Sequence, residues 1–219
     1  MASEPSRDAK RPPASSGGAY EHLGLFWNPF GEVPARDWPD LIETALALAE
    51  LAARLRGGGV ALVFRGEAGR GKSTHLRALH RRFFADLPYT YLGPDASPRT
   101  PIPVAPVCFV DEAQRLGRGP RRRLFRRAPA LALTSHADLD AELESRFEVI
   151  EHRIAGLERA RLATIVARRV GWAARPGGAL VEVADARLDE LIAEHGDDLR
   201  SIQDALYDEF EALRRDRRR

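Results

Sequence analysis

The sequence predicts an α/β protein, with a parallel sheet flanked by helices and followed by a small all-helical part. Short apolar runs of strand length alternate with helical segments up to about residue 155, which is typical of parallel sheets. From Leu157 onward the apolar residues recur only at helical spacing. The chain has 219 residues, of which 44% are hydrophobic. It can therefore bury the core of one ordinary α/β domain and a small appendage.

Four segments are predicted along the chain. They are a disordered tail rich in proline, serine and glycine at 1–19, an α/β domain at 20–155, a helical part at 156–214 and a basic tail at 215–219. No apolar run approaches the ~20 residues that cross a bilayer, and the N-terminus lacks the apolar core of a secretory signal. The single cysteine, Cys108, cannot form an internal disulfide. These features predict a cytoplasmic protein.

The first strand is predicted between two helices. The run "VALVF", residues 60–64, is β-branched and apolar and is entered through "GGG", which indicates a buried parallel strand. Downstream, Leu76, Leu79 and Phe83 recur at helical spacing. Upstream, the same spacing predicts a helix through Leu41, Ala45, Leu48, Ala52 and Leu55.

A phosphate-binding motif lies between this strand and the helix that follows it. The stretch "GEAGRGKST" fits the pattern G-x-x-x-x-G-K-[ST], in which glycines let backbone N–H groups turn toward phosphates and the lysine reaches the terminal ones. The hydroxyl of Ser73 is placed to hold Mg²⁺. We therefore expect ATP and Mg²⁺ as cofactors. The predicted nucleotide-binding residues are Gly66, Glu67, Ala68, Gly69, Arg70, Gly71, Lys72, Ser73 and Thr74.

The aromatic-rich segment at 20–34, "YEHLGLFWNPFGEVP", has two interpretations. It is either a segment packed over the core or a linker whose apolar residues lie beside an adenine ring.

Further strands are predicted downstream of the motif. A short one is expected at Tyr89 to Leu92, after which prolines at 94, 98, 101, 103 and 106 rule out a helix. The apolar runs in "VCFVDEAQ", "ALALTSHADL" and "RFEVIEHRI" predict three more strands. Three helical stretches follow from Leu157: "LERARLATIVARRVGW", "ADARLDELIAEH" and "DDLRSIQDALYDEFEALRR".

Two acids lie at the end of the strand predicted in "VCFVDEAQ". Asp111 occupies the position from which a carboxylate holds Mg²⁺ through water in P-loop enzymes. Glu112 beside it is a candidate for orienting and polarising the attacking water of a hydrolase. The alternative is that both acids open the next helix, where negative charge favours the positive end of the dipole.

With these motifs in place, the sequence resembles the AAA+ ATPases over roughly residues 20–214. The stretches "GEAGRGKST" and "VCFVDEAQ" are similar to that family's Walker A and Walker B motifs. "DEAQ" with a later "HADL" is most similar to a bacterial branch that contains secretion-linked ATPases and helper ATPases of DNA transposition. The resemblance implies a P-loop NTPase sheet, a helical lid and a homo-oligomer that couples ATP hydrolysis to a conformational change acting on a macromolecular partner.

The resemblance also implies residues that sense the γ-phosphate. The family commonly has asparagine at the end of the fourth strand, where this chain has His136 preceded by Ser135 and Thr134. An ordinary loop histidine is the alternative for His136. Arg146, within "LESRFEVI", matches the segment that carries an arginine finger acting on a neighbouring subunit. Its alternative is a surface arginine.

The predicted lid implies one more phosphate contact. In "GDDLRSIQDAL" the resemblance implies that Asp197 caps the last helix and that Arg200, in its first turn, is the second sensor. An arginine near the N-terminus of a helix is unfavourable for the helix dipole, so there is little reason to expect a local structural role for Arg200.

Seven arginines without a neighbouring acid lie in "QRLGRGPRRRLFRRAP". A positive charge of this density can neutralise several phosphates of a nucleic acid. A solvated helix face is the alternative. The arginines are Arg115, Arg118, Arg121, Arg122, Arg123, Arg126 and Arg127.

Two alternatives to an ATPase remain open from the sequence. A P-loop kinase for a small metabolite uses the same loop but does not require Glu112. An ATP-dependent DNA-binding or scaffolding module with negligible turnover would bind nucleotide in the same way.

Overall fold

The computed structural model describes residues 18–34, 37, 41–42, 46–177 and 181–216. The strands are Val60–Arg65 (β1), Tyr89–Tyr91 (β2), Cys108–Asp111 (β3), Leu131–Ser135 (β4) and Glu148–Arg153 (β5). The helices are Leu48–Arg56 (α1), Lys72–Phe83 (α2), Arg118–Arg127 (α3), Asp140–Leu143 (α4), Arg159–Ala173 (α5), Asp185–His195 (α6) and Leu199–Asp216 (α7). Most of the two predicted tails, residues 1–17 and 217–219, lies outside the described residues.

The five strands form one parallel sheet in the order β2-β3-β4-β1-β5. Every strand pair is parallel, so the carboxyl ends of all strands lie along the same edge. β1, β4 and β3 are consecutive in this order, and the segments that follow them therefore emerge side by side. The predicted α/β class with a parallel sheet and flanking helices is confirmed, as are the five predicted strands.

The centre of the sheet is apolar because both of its faces are covered. β1 pairs with β4 and with β5, and Val60 to Phe64 of β1 are buried. β3 and β4 are buried along their whole lengths. A parallel sheet covered on both faces needs such continuous apolar runs, and the predicted strands were recognised by them.

The chain divides into two compact units. One contains the described residues of 44–156 and includes the sheet; the other contains those of 1–43 and 157–219. The sequence predicted that residues 20–43 belong to the α/β domain, but the division assigns them to the helical unit. Tyr20, Leu25 and Phe30 pack in one apolar cluster with residues of α5, α6 and α7.

A buried arginine fixes this segment within the helical unit. Arg169 on α5 donates hydrogen bonds to the carbonyls of Pro29 and Gly31 and to the side chain of Gln203 on α7. Burial lowers the pKa of Arg169 to about 10. Neutral acceptors satisfy its N–H groups, which is the requirement for any polar group removed from water.

Helix boundaries differ from the sequence in two places. The helix predicted through Leu41 to Leu55 is not continuous. Leu41 is helical, but residues 42 and 46–47 are not, residues 43–45 lie outside the described residues, and α1 begins at Leu48. The last helix continues to Asp216, two residues beyond the predicted end of the helical part. The proline-rich stretch after β2 contains no helix, as predicted. Among the described residues, no helix is both long and apolar enough to span a membrane.

The start of α7 corrects the predicted cap. Asp198, not Asp197, accepts hydrogen bonds from the backbone N–H groups of Arg200 and Ser201, at 3.0 and 3.2 Å. Asp198 directly precedes the first residue of the helix, and a side-chain acceptor at that position satisfies N–H groups that lack an intrahelical partner. The sequence alone could not show which of the two adjacent aspartates caps the helix.

Replacing Asp198 by alanine should lower the free energy of unfolding by about 1 kcal/mol, because two N–H groups of the first turn lose their acceptor. Asp198→Asn keeps an oxygen at the cap and should lose much less. Urea denaturation followed by circular dichroism measures the difference. A larger loss in Asp197→Ala than in Asp198→Ala would contradict this assignment.

Candidate functional site

The loop from Gly66 to Gly71 joins β1 to α2 and depends on its glycines. Gly66 has a φ of +147°, and a Cβ atom there would lie 2.4 Å from the carbonyl oxygen of Ile154, just after β5. Gly71 has a φ of +92° and directly precedes the first residue of α2. Any other residue at position 66 would have to displace backbone, because an L side chain fits neither the space nor the conformation.

Lys72 opens α2 and is buried, with 4% of its surface exposed. Its ammonium group donates a hydrogen bond to the carbonyl oxygen of Glu67, 2.8 Å away across the loop. It also lies 3.2 Å from Nε2 of His136, which follows β4. The N–H groups of a helix's first turn have no intrahelical acceptors. Lys72 therefore adds a cation to the end of the helix that already attracts anions.

Asp111, the last residue of β3, is completely buried and surrounded by hydroxyl groups. Its Oδ1 accepts hydrogen bonds from Ser73 Oγ at 2.8 Å and from Thr134 Oγ1 at 2.7 Å. Its Oδ2 accepts one from the Tyr89 hydroxyl at 2.8 Å. These donors come from α2, β4 and β2, so the carboxylate joins three elements to the end of β3.

Two further groups complete the surroundings of Asp111. The guanidinium of Arg77 lies 3.8 Å from Oδ2. Burial, and then the charge of Asp111, raises the pKa of Tyr89 above its ordinary value. The phenol therefore stays protonated and keeps donating to the carboxylate.

Glu112 has an unusual backbone. It is the one non-glycine residue with positive φ among those that the structure describes, at 66° in the left-handed region. A short 3₁₀ turn at Ala113–Arg115 follows, and the next α-helix starts only at Arg118. The two acids therefore open a 3₁₀ helix of three residues and not an α-helix. Non-glycine residues held in this conformation are concentrated at functional sites.

The side chain of Glu112 is nearly buried and lies among polar groups. Its Oε2 accepts a hydrogen bond from Gln114 at 2.7 Å and lies 3.6 Å from Arg115. Its Oε1 lies 3.4 Å from Nε2 of His136. The backbone N–H of Glu112 donates to Thr134 Oγ1 at 2.7 Å. Thr134 thus connects both acids, to one through its hydroxyl hydrogen and to the other through its oxygen.

Of the three residues proposed for the sensor, His136 is the one whose side chain meets Lys72 and Glu112. The Ser135 hydroxyl instead donates to the carbonyl of Ala137 and accepts from the same residue's N–H. Thr134 is engaged by the two acids. The local turn made by Ser135 explains why the histidine, one position later, reaches the loop.

The donor set around Ser73 and Asp111 fits Mg²⁺. Ser73 Oγ donates its hydrogen to Asp111 at 2.8 Å, so a lone pair of the Ser73 oxygen stays available to a cation while the carboxylate lies close enough to accept from a water on that cation. Among the described residues, no group of three or more histidine, cysteine, aspartate and glutamate side chains is arranged to hold a metal ion. Mg²⁺ at phosphate sites uses few protein ligands, since phosphate oxygens and waters supply the others.

Two further residues, Arg146 and Arg200, were predicted to contact phosphate. Arg146 follows α4; it is exposed, donates a hydrogen bond to the carbonyl of Arg126 and lies over the ring of Phe147. Among the described residues it has no hydrogen bond or ion pair with the loop or Glu112. Arg200 is exposed in the first turn of α7, in the helical unit. Their proposed roles stay predictions.

The sequence missed Thr134 as a structural bridge, and it missed Tyr89 and Arg77 altogether. A signal for Arg77 existed, because it lies four residues after Ser73 and therefore on the same face of α2. Tyr89 lies at the start of a short strand, and only the order of the strands brings it beside Asp111.

The chain matches no known family model. No curated protein is significantly similar to it in sequence. Its function is therefore inferred from the geometry of the site.

Replacing Thr134 by valine should lower the free energy of unfolding by about 1–3 kcal/mol. The volume is kept, but the buried N–H of Glu112 loses its acceptor and Asp111 loses a donor. Thr134→Ser keeps the hydroxyl and should retain most of the stability. Thr90→Val on β2 is the matched control, because the Thr90 hydroxyl has no hydrogen bond to a described residue. Equal losses in urea denaturation for the two valine variants would contradict the bridging role.

Proposed function

We propose that the protein binds ATP with Mg²⁺ and hydrolyses it, and that the change between the two nucleotide states acts on a macromolecular partner. One observation carries the proposal: the loop after β1, the two acids at the end of β3 and His136 after β4 meet at the carboxyl edge of three neighbouring strands. Ligands of open parallel sheets bind outside this edge.

The loop would bind the triphosphate through backbone N–H groups, the start of α2 and the Lys72 ammonium. Lys72 is held in position by the Glu67 carbonyl, 2.8 Å away, so little reorganisation is needed when phosphate oxygens replace that acceptor. Bound Mg²⁺ would neutralise charge on the phosphates, with Ser73 as a direct ligand and Asp111 acting through water. Tyr89 and Arg77 contact Oδ2 of Asp111 and so hold its Oδ1 toward Ser73.

Glu112 would accept a proton from the attacking water. The water oxygen forms a bond to the γ-phosphorus, the bond from that phosphorus to the bridging oxygen breaks, and ADP carries away the electron pair. His136, whose Nε2 lies 3.4 Å from Glu112 Oε1 and 3.2 Å from Lys72 Nζ, would contact the γ-phosphate or this water. The left-handed backbone of Glu112 turns its carboxylate back toward the end of β4.

The resemblance to AAA+ ATPases adds a proposal about a second copy of the chain. Arg146 lies outside this group within one chain, and we propose that it completes the site of a neighbouring subunit. A monomer would then bind ATP but would lack one cation that stabilises charge in the transition state.

Glu112→Gln should bind ATP with little change in affinity and hydrolyse it roughly 10²–10⁴-fold more slowly, because the amide cannot accept the proton. Glu144→Gln, at an exposed position after α4, is the matched control and should keep normal turnover. Lys72→Ala should weaken binding itself. Phosphate release and fluorescent-nucleotide titration separate the two effects.

Two results would count against this function. Unchanged turnover in Glu112→Gln would remove that residue from the reaction. ATP binding without measurable phosphate release in the unmutated protein, at any protein concentration, would favour a nucleotide-dependent scaffold. Transfer of the γ-phosphate to a small hydroxyl compound would favour a kinase.

Mixing Arg146→Ala with Lys72→Ala should restore part of the activity that each variant lacks alone. The mixture contains interfaces that pair an intact loop with an intact arginine, and an arginine finger is worth on the order of 10³–10⁵ in rate. Steady-state phosphate release at several protein concentrations measures this. Concentration-independent turnover without rescue would assign Arg146 to the protein surface.

A further inference from the structure

α3 exposes two rows of arginines on the sheet-containing unit. Arg118, Arg122 and Arg126 are spaced four residues apart, as are Arg123 and Arg127, and all five are exposed. From first to last they extend over about 14 Å of helix. Leu124 and Phe125 are buried and anchor the opposite side of the helix.

Two of the seven predicted arginines belong to the fold instead. Arg121 forms an ion pair with Glu142 on α4 and donates to the carbonyl of Leu116. Arg115 donates to the carbonyl of Leu92 at 2.9 Å and approaches Glu112. The sequence analysis grouped all seven arginines together, because a run of arginines does not show which of them face the rest of the protein.

The five exposed arginines of α3 differ from Arg121 and Arg115 in their contacts. Among the residues that the structure describes, none of the five forms an ion pair with a carboxylate. Like charges four residues apart on a helix repel each other, and Arg118 in the first turn opposes the helix dipole. Arg126 and Arg127, in the last turn, favour the dipole, but the repulsion within each row remains, and a bound polyanion would remove it.

A groove of about 1020 Å³ runs beside this helix. Four of the exposed arginines line it, together with Arg99 from the proline-rich stretch and Arg146 after α4. We call the five other than Arg146 the arginine face: Arg99, Arg122, Arg123, Arg126 and Arg127. Glu142 is the one acid among the lining residues. The hydrogen bond from Arg121, then the charges of Arg121, Arg122 and Arg118, hold the pKa of Glu142 below its usual value.

We propose that the arginine face binds the phosphate backbone of a double-stranded nucleic acid. Guanidinium groups match phosphate oxygens in bidentate geometry and remain charged at any physiological pH. The charge of the groove is complementary to a polyanion along its length. This inference concerns a partner and does not depend on ATP hydrolysis.

The residues around the arginine face favour contact with the phosphate backbone of a duplex over contact with unpaired bases or with an acidic protein. Phe125, the aromatic residue in the groove lining, is 3% exposed and is not available for stacking on unpaired bases. An acidic protein would need apolar anchors at its centre. Val104 is the one lining residue among the large exposed apolar side chains of the described chain. Contacts to phosphate carry no sequence information, so binding should be independent of sequence.

The test is the salt dependence of binding to a 20-base-pair DNA duplex, measured by fluorescence anisotropy between 50 and 200 mM salt. Each phosphate contact contributes about 0.9 to the slope of log affinity against log salt. The triple variant Arg122→Gln, Arg123→Gln, Arg126→Gln should reduce that slope by up to about 2.7. The affinity lost over this fourfold salt range should then be smaller by a factor of up to about 40.

A matched control removes the same charge elsewhere. Arg81→Gln, Arg153→Gln and Arg215→Gln change residues that do not line the groove, and this triple variant should keep the unmutated slope. Replacing the three arginines of the face by lysine should keep most of the slope as well. ATP binding should be unchanged in every variant, which separates a failure of this inference from a failure of the ATPase proposal.

Several outcomes would overturn the inference. They are no binding to duplex DNA or duplex RNA at 50 mM salt with ATP present, an equal slope in the face variant and its control, or tighter binding of single strands than of duplex. Tighter binding of polyglutamate than of DNA at the same salt would assign the groove to an acidic protein segment instead.

Discussion

The buried carboxylate of Asp111 is the constraint around which the candidate site is organised. A carboxyl group with no exposure to water is tolerated only when its oxygens are hydrogen-bonded. Ser73, Thr134 and Tyr89 supply those bonds from three different elements. Satisfying one carboxyl group therefore fixes the start of α2, the end of β4 and the start of β2 relative to the end of β3.

The same edge of the sheet brings acidic and basic side chains together. Arg77 lies 3.8 Å from Asp111, and His136 lies 3.4 Å from Glu112 and 3.2 Å from Lys72. These groups are held by backbone and side-chain contacts before any phosphate is present. Preorganised charges of this kind need little rearrangement when a reaction develops negative charge. The arginine face differs, because its charges have no local partners and repel each other.

Most of the α/β unit could be predicted from local patterns. The strands are continuous apolar runs, and the glycine-lysine motif lies between a strand and a helix as its spacing predicted. What could not be predicted depends on strand order or on side-chain direction. Tyr89 reaches Asp111 because β2 and β3 are neighbours, and Arg121 turns inward because Glu142 lies across from it. The aromatic segment at 20–34 was assigned to the wrong unit, since apolar residues show only that they will be buried, not by which helices.

The backbone of Glu112 sets a limit on improving this protein. A left-handed conformation costs a non-glycine residue on the order of 1–3 kcal/mol, a strain that glycine does not have. Directed evolution for thermal tolerance alone would therefore favour glycine or asparagine at this position and would remove the carboxylate. Heat resistance and the chemistry of this edge compete at a single residue. Any mutant library designed to raise the thermal stability of the protein should leave Glu112 unchanged.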